Sequence, residues 1–288
     1  MSFCFKLFKK ILSIKKYFKK NKFQKHLVLC KPNFFRIEYE INPWMKVEKK
    51  SDASKAFKQW KLLLSKFKRN NVKISLINPI KDLPDMVFTA NAGLYIKKNN
   101  SIIISKFKYK ERQGESIYFE EFFSKKNIKI IKTKLDFEGA GDALFFMNKL
   151  IGGYGFRTDF LVYKEIKEYL QCEIIEVELI DSRFYHLDTC FCPLNNKDYL
   201  IYPKAFSEES LSRIRKLGGR EIIVCEQDAV KFACNAVCVE DKVILPEGCG
   251  DTYDKLNRCG YNVIPVCMSE FLKSGGACKC LTLEISDE

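Results

Sequence analysis

The chain has 288 residues, of which 47% are hydrophobic, enough to bury a substantial core in one large domain or two small ones. Its apolar runs are much shorter than the roughly 20 residues that span a bilayer, so we expect a soluble globular protein. The net charge of +14 is unevenly distributed, because residues 1–25 hold nine lysines and no acidic residue. The remainder is only mildly basic, which disfavours a nucleic-acid-binding protein.

Residues 1–25 alternate lysine pairs with aromatic and aliphatic residues, a pattern typical of a basic amphipathic helix at an anionic membrane surface. An organelle presequence and a disordered lysine-rich extension fit the same pattern. We therefore predict an N-terminal extension over 1–25 and a single folded domain over 26–288. The predicted location is the cytoplasm, or an organelle if the basic segment acts as a targeting signal.

The thirteen cysteines are scattered irregularly, and no cleavage site of a secretory signal precedes them. They are interpreted as reduced thiols rather than as a disulfide framework. Two Cys-x-Cys pairs, Cys190 with Cys192 and Cys278 with Cys280, raise the alternative of a zinc site. Structural zinc sites use wider spacings, and two histidines leave few ligands to complete one. We expect neither a metal nor a cofactor.

From Leu27 onward, pairs of short β-rich runs recur with turn residues between them. In chain order the predicted hairpins are Ala92–Ile96 with Ser101–Ser105, Ala143–Met147 with Leu150–Tyr154, Leu187–Pro193 with Tyr199–Tyr202, and Ala236–Val239 with Val243–Leu245. A fifth hairpin would pair Leu281–Ile285 with Leu27–Cys30. The interval of about 45–50 residues is typical of a repeat architecture.

A helix and a further strand follow each hairpin, as in Ile117–Phe123, Leu161–Leu170 and Glu208–Leu217 with the strands after them. Five ββαβ repeats predict an α/β fold, a five-bladed α/β propeller closed by the two ends of the chain. An ordinary α/β sheet with a chance period is the alternative.

A polar residue stands just before the first strand of each predicted hairpin: Asn91, Asp142, His186, Asn235 and Cys280. In a ring of repeats these positions would converge on the axis. The chain has only two histidines, and His26 lies in the lysine-rich stretch, so imidazole chemistry would fall to His186. Taken singly, each residue also fits a structural role, such as turn capping or core packing.

Three carboxylates, Asp85, Glu138 and Asp188, would surround this cysteine and histidine. Carboxylates bind a guanidinium through paired hydrogen bonds, so the set predicts a guanidino substrate. Cys280 would attack the guanidinium carbon, and His186 would protonate the departing ammonia and then activate water. An amino-acid substrate would also need a cation for its carboxylate, and the candidates are Arg112 and Arg157.

Five segments carry a family resemblance: PDMVFTANAGL at 84–94, FEGAGDALF at 137–145, GYGFRTD at 153–159, FYHLDTCFCPL at 184–194 and GGACKCLTLE at 275–284. They resemble the guanidino-group-modifying superfamily, or penteins, which includes arginine deiminase, dimethylarginine dimethylaminohydrolase and arginine:glycine amidinotransferase. The resemblance implies a pentein catalytic domain with Cys280 as nucleophile and His186 as acid and base. It also implies substrate-binding roles for the carboxylates and arginines named above.

INPWM at 41–45, KERQGE at 110–115 and KFACNAV at 231–237 resemble the arginine dihydrolase domain of cyanobacterial enzymes that convert arginine to ornithine. That likeness implies that Asn91 and Asn42 retain citrulline for a second hydrolysis and that Asp142 supports the site. Deiminase, dimethylarginine hydrolase, amidinotransferase and a non-catalytic assembly factor stay as alternatives. The expected partner is a small guanidino substrate, with no nucleic acid. A homo-oligomer and weak membrane-surface contact through residues 1–25 are left open.

Overall fold

The computed structural model describes residues 25–285, and residues 1–24 and 286–288, which include most of the basic segment, lie outside the described part. The described strands form five separate three-stranded sheets. In chain order the strands are β1 Lys25–Cys30, β2 Val72–Ile77, β3 Gly93–Ile96, β4 Ser101–Ile104, β5 Lys129–Ile131, β6 Ala143–Phe146, β7 Lys149–Tyr154, β8 Ile174–Glu178, β9 Phe191–Pro193, β10 Asp198–Ile201, β11 Arg220–Ile223, β12 Val237–Val239, β13 Lys242–Pro246, β14 Asn262–Val266 and β15 Leu283–Glu284.

All five sheets have the same topology: an antiparallel hairpin followed by a third strand parallel to the hairpin's second strand. The fifth sheet takes its hairpin from distant parts of the chain, because β15 pairs antiparallel with β1 at Leu27↔Glu284 and Val28↔Leu283. Each parallel connection contains a helix, as a crossover between parallel strands requires. The predicted ββαβ repeat is therefore present five times.

The described α-helices are α1 Ala53–Arg69, α2 Lys110–Gln113, α3 Glu115–Ser124, α4 Val162–Ile166, α5 Glu208–Lys216, α6 Glu226–Ala229, α7 Gly250–Arg258 and α8 Ser269–Leu272. Helix α1 shows how the sequence sets these bounds. The Asp52 side chain accepts a hydrogen bond from the Lys55 N–H at 2.9 Å and so caps the first turn. The buried apolar residues of helix α1 recur every three or four positions and form one apolar face toward the sheets: Ala56, Trp60, Leu63 and Phe67.

Several predicted strands begin too early. Strands β3 and β9 start at Gly93 and Phe191, and the residues before them form 3-10 turns at Thr89–Ala92 and Leu187–Thr189. A third turn, Gly139–Gly141, precedes β6. Apolar residues in these turns are as deeply buried as those in strands, so burial pattern alone could not separate the two. The predicted helix Leu161–Leu170 is likewise shorter, because Lys167–Tyr169 is a 3-10 turn.

Hydrogen bonds connect the segments that precede the hairpins into a closed cycle. Asn91 donates to the Glu138 carbonyl at 3.2 Å, and the Leu187 N–H donates to the Asp142 carboxylate at 3.1 Å. The remaining links join Asn235 to the Asp188 carbonyl at 3.0 Å, the Cys280 N–H to the Asn235 side chain at 3.1 Å, and the Ala90 N–H to the Cys280 carbonyl at 3.0 Å. The five positions that the repeat pattern grouped thus meet in space.

A cavity of about 560 Å³ is lined by the first hairpin strand of every sheet: β3, β6, β9, β12 and β15. The five sheets therefore share one central space. Between residues 25 and 285, no helix has both the length and the apolar character needed to cross a bilayer.

Candidate active site

The loop that carries Cys280 is held by one buried side chain, that of Asn235. Its Oδ1 accepts hydrogen bonds from the backbone N–H groups of Ala277, Lys279 and Cys280 at 3.0–3.1 Å. Its Nδ2 donates to the Asp188 carbonyl at 3.0 Å and lies 3.0 Å from the Cys280 Sγ. Five contacts from one amide therefore hold both the loop and the Cys280 thiol in place.

The thiol of Cys280 also lies against the Asp188 carboxylate, with Sγ 3.5 Å from Oδ2 and 3.6 Å from Oδ1. Burial raises the pKa of Cys280 well above its usual range, and the Asp188 charge adds to that rise. Burial likewise raises the pKa of Asp188 to about 6, although Lys279, Cys280 and Asn235 oppose it. Without a bound cation, the pair therefore holds a neutral thiol.

His186 and Glu138 form a buried pair, with the His186 Nε2 2.8 Å from the Glu138 Oε2. Burial alone would raise the pKa of Glu138, but the Arg157 guanidinium and the His186 contact outweigh it and hold that pKa well below its usual range. Glu138 is therefore ionised and orients the imidazole. The described contacts of Cys280 and His186 include no hydrogen bond between them, so a reacting group could lie between thiol and imidazole.

Asn91 connects this pair to a second buried ion pair. Its Oδ1 accepts from the Arg112 Nη1 at 3.0 Å, and its Nδ2 lies 3.5 Å from the His186 Nε2. Arg112 in turn makes two parallel hydrogen bonds of 2.8 Å to the Glu115 carboxylate. Gly141 must be glycine for this packing, since a Cβ there would stand 2.2 Å from the Asn91 Nδ2.

Arg157 is sandwiched between two tyrosine rings, with its guanidinium carbon 4.6 Å from the centroids of both Tyr109 and Tyr185. It donates to Glu138 at 3.1 Å and to the Ile41 carbonyl at 2.9 Å. Both predicted arginines are thus deeply buried and paired with acidic residues. A substrate carboxylate would have to exchange with, or add to, these contacts.

Asp85 and Asp142 are two further buried carboxylates of this cluster. Burial raises the pKa of Asp85 despite Arg112, and its Oδ2 accepts from the Tyr39 hydroxyl at 3.0 Å. Its buried Oδ1 has no hydrogen-bond partner among the described residues, which leaves an acceptor for a ligand N–H. Asp142, whose pKa burial raises to about 6, accepts from the Thr158 hydroxyl at 2.7 Å and from the Leu187 N–H.

Asn42 lies in a loop that is hydrogen-bonded to Ser274, just before the loop that carries Cys280. Its Oδ1 accepts from the Trp44 and Met45 N–H groups at 3.0 and 3.2 Å, and its Nδ2 donates to the Ser274 carbonyl at 3.1 Å. Through these three contacts the Asn42 side chain ties the backbone of its own loop to the backbone at Ser274, so Asn42 shapes the wall of the site. Its predicted role in retaining citrulline stays a prediction.

Three residues of the site were not selected from the sequence: Asn235 as a site residue, and Glu115 and Thr158 as partners of Arg112 and Asp142. Asn235 did carry a signal, because it occupies the same hairpin-entrance position as Asn91 and Cys280. Glu115 ends the KERQGE segment but has no chemistry of its own that would distinguish it from a surface acid.

The two histidines have different surroundings. His26 is buried in β1 with its Nε2 2.9 Å from the Ser75 hydroxyl, away from the carboxylates that surround His186. Of the described residues, Cys225, Asp228 and Asp251 form a group with the spacing of metal ligands. Asp228 already accepts two hydrogen bonds from Thr252, at 2.8 and 2.9 Å, so that carboxylate serves to begin helix α7.

Comparison with known proteins places these features in a family. ArgZ of Synechocystis sp., a bifunctional arginine dihydrolase/ornithine cyclodeaminase, is 43% identical over 268 residues, which cover 91% of this chain and 38% of that protein. The chain thus matches well under half the length of ArgZ. The N(G),N(G)-dimethylarginine dimethylaminohydrolase of Mycobacterium tuberculosis is 37% identical over 254 residues, covering 88% of this chain and 83% of that one.

The crystal structure of the N-terminal domain of ArgZ bound to its substrate superposes with a TM-score of 0.87 at 42% identity, covering 91% of this chain and 98% of that one. The family model of the eukaryotic N,N dimethylarginine dimethylhydrolases matches residues 32–287. Relatives in this family are hydrolases that act on the carbon–nitrogen bonds of amidines. The chain belongs to the dimethylarginine dimethylaminohydrolase family and shares its fold.

Proposed function

We propose that this chain is an arginine dihydrolase, which uses two waters to convert arginine to ornithine, carbon dioxide and two molecules of ammonia. The observation that carries the proposal is the position of the Cys280 thiol, 3.5 Å from the Asp188 carboxylate and on the same hydrogen-bonded cycle as the His186–Glu138 pair. The 43% identity to the dihydrolase part of ArgZ supports the choice of arginine.

Substrate charge would activate the nucleophile. In the free site, burial and Asp188 keep Cys280 in its neutral form. A guanidinium bound between Asp188 and Glu138 would bring a positive charge next to the sulfur and favour the thiolate. The enzyme would then generate its nucleophile only when the correct cation is present.

Attack of Cys280 on the guanidinium carbon forms a carbon–sulfur bond and a tetrahedral adduct. The carbon–nitrogen bond then breaks, and ammonia leaves with a proton from the imidazolium of His186. The product is an S-amidino cysteine. His186, now neutral and oriented by Glu138, takes a proton from water, which adds to the same carbon. The carbon–sulfur bond then breaks and releases citrulline, and the proton held by His186 returns the leaving sulfur to the thiol.

A second cycle on citrulline would release the second ammonia and leave the carbamate of ornithine. Loss of carbon dioxide from that carbamate breaks its carbon–nitrogen bond and gives ornithine. The urea group of citrulline is neutral, so it needs hydrogen-bonding groups in place of a salt bridge. Asn91 is a suitable group, because its amide already contacts Arg112 and His186 and can donate or accept. Arg112 and Arg157 would hold the substrate carboxylate, and the unpaired Oδ1 of Asp85 would accept an N–H from the substrate.

Dimethylarginine is the second candidate substrate, and the family model that matches residues 32–287 favours it. In that reaction His186 would protonate dimethylamine instead of ammonia, with the same thiol intermediate. The two proposals differ in the leaving group and in the fate of citrulline.

Mass spectrometry of the products separates these reactions. Purified protein is incubated with arginine or with asymmetric dimethylarginine, and each reaction is repeated with glycine added. Ornithine with carbon dioxide supports the dihydrolase, and accumulating citrulline from arginine indicates a deiminase. Dimethylamine indicates the dimethylarginine hydrolase, whereas guanidinoacetate from glycine indicates amidino transfer. No product from either substrate would overturn the proposed function.

We also infer that the five sheets form the five-bladed propeller expected from the repeats. The shared topology, the cycle of hydrogen bonds and the cavity lined by one strand of each sheet support this arrangement. A cytoplasmic location, an oligomeric state and membrane-surface contact of residues 1–25 stay predictions.

A further inference from the structure

The central cavity of about 560 Å³ is a second candidate binding site, separate from the guanidino site. Its volume lies within the range of roughly 300–1,000 Å³ that small-molecule sites occupy. Its walls come from the first hairpin strand of each of the five sheets, which we call the inner strands. They are mainly apolar, with Leu94, Leu144 and Val237 among them. An apolar molecule of moderate length would therefore be desolvated on several sides at once.

Four lysines and one glutamate line this mainly apolar cavity and give it a net positive charge: Lys25, Lys97, Lys98, Lys279 and Glu284. Lys25 and Lys279 both line it, and both oppose the burial-driven rise in the pKa of the Cys192 thiol, which places them near the same wall. Lys25 is paired with Glu284. Lys279 donates to the Thr282 carbonyl at a long 3.4 Å, and within residues 25–285 no carboxylate forms a salt bridge with it.

A partly buried lysine without an acidic partner next to apolar walls favours a ligand that is both anionic and apolar. We propose that the cavity binds an amphipathic monocarboxylate, with its hydrocarbon part against the inner strands and its carboxylate on Lys279. A free arginine would not fit this site, because its guanidinium would be placed among apolar side chains and four lysines.

The cavity and the active site share backbone. Three lining residues stand next in sequence to residues of the guanidino site: Lys279 beside Cys280, Ala236 beside Asn235 and Ala143 beside Asp142. The Lys279 charge also opposes the burial that raises the pKa of both Cys280 and Asp188. A carboxylate on Lys279 would cancel that effect, so the bound ligand would lower the reactivity of the nucleophile.

Calorimetric titration of the purified protein with octanoate tests the binding site directly, with octan-1-ol as the neutral probe of equal length. Wild-type protein is expected to bind octanoate at one site and octanol at least tenfold more weakly. Phe145 lines the cavity and is 45% exposed, so Phe145→Glu introduces a repelling charge with little risk to folding. It should weaken octanoate binding at least tenfold.

The matched control is Ile223→Glu, since Ile223 is also 45% exposed and lies on β11, outside the cavity lining. This variant should bind octanoate as wild type does. Lys279→Gln provides a second variant that removes the cation itself and should also weaken binding. Equal binding of octanoate and octanol, unchanged affinity in Phe145→Glu, or no binding at millimolar octanoate would each overturn the proposal.

The proposed effect on the nucleophile has its own measurement. Octanoate should slow the alkylation of Cys280 by iodoacetamide in wild type, followed on the Cys280 peptide by mass spectrometry. It should not slow alkylation in Phe145→Glu. Equal slowing in both proteins would show that octanoate acts at the active site and would overturn the coupling.

Discussion

The side-chain amide of Asn235 contacts Cys280 at two points: its Oδ1 accepts from the Cys280 N–H at 3.1 Å, and its Nδ2 lies 3.0 Å from the Cys280 Sγ. One residue thus holds the Cys280 backbone and also places an N–H donor where it would stabilise negative charge on the sulfur. The amide opposes the burial that raises the pKa of the thiol. Asn235 is therefore expected to matter for reactivity more than for folding.

Asn235→Asp should lower kcat/KM by roughly 10²-fold, the cost of removing one preorganised donor from a developing charge. The carboxylate keeps the acceptor for the three loop N–H groups but places negative charge beside the sulfur. The pH profile of Cys280 alkylation should therefore shift to higher pH. Asn196→Asp, which adds the same charge on an exposed turn, is the control. A wild-type profile in Asn235→Asp would contradict this role.

Cys280→Ser should reduce ammonia release from arginine by roughly 10³-fold or more, since the hydroxyl is a much weaker nucleophile at neutral pH. The residue is nearly isosteric, so circular dichroism and thermal unfolding should stay close to wild type. Cys259→Ser, at a partly exposed thiol outside the site, should retain activity. Substantial turnover in Cys280→Ser would exclude the covalent intermediate.

The two histidines provide a matched pair of substitutions. His186→Ala should abolish ammonia release, because the imidazole held by Glu138 supplies the proton to the leaving group. His26→Ala removes a buried contact with Ser75 and should lower the melting temperature while leaving turnover intact. Loss of activity in both variants at a temperature where both are folded would remove the specific assignment to His186.

The raised pKa of Asp188 predicts how the free energy of unfolding depends on pH. Burial raises its pKa from 3.8 to about 6, so between these values the folded state binds more protons than the unfolded state. Its contribution is fully present below about pH 4 and is lost as pH rises through 6. Asp188→Asn should remove this decline, gaining on the order of 2 kcal/mol relative to wild type between pH 4 and pH 7. Urea unfolding at both pH values measures it, and parallel pH dependences would refute it.

Asn91→Asp should change the product rather than abolish the reaction. A carboxylate would strengthen the contact with Arg112 but would no longer donate to a neutral urea, so citrulline should leave before its second hydrolysis. The ratio of citrulline to ornithine, measured by mass spectrometry, is expected to rise by about tenfold or more. An unchanged ratio would assign the second hydrolysis to other residues.

The repeat and its closure could be predicted from the sequence because turn residues and β-rich runs recur at a steady interval. Convergence of Asn91, His186 and Cys280 followed from that repeat. The start of β9 could not be predicted, since Leu187 and Thr189 are as buried in a 3-10 turn as they would be in a strand. Burial carries no information about whether backbone groups bond to a sheet or to a neighbouring turn.

The ion pairs within the site could not be predicted from the sequence either. Glu115 lies three residues after Arg112 on adjacent short helices, and in the sequence it is one acid in a charged segment. Only the packing of the site shows that its carboxylate is completely buried, with Arg112 as its partner. Pairwise contacts between residues 20 or more positions apart, such as Thr158 with Glu138, depend on sheet order and cannot be obtained from local pattern.

The pairing of β15 with β1 has a consequence for biosynthesis. Strand β1 leaves the ribosome about 250 residues before the partner that completes its sheet, so it must wait with one edge unpaired. Cys280 lies three residues before β15 and emerges at almost the same time. Chains interrupted before this point would lack both the closing strand and Cys280, the proposed nucleophile. One C-terminal segment therefore supplies both, and incomplete chains are expected to lack the proposed activity.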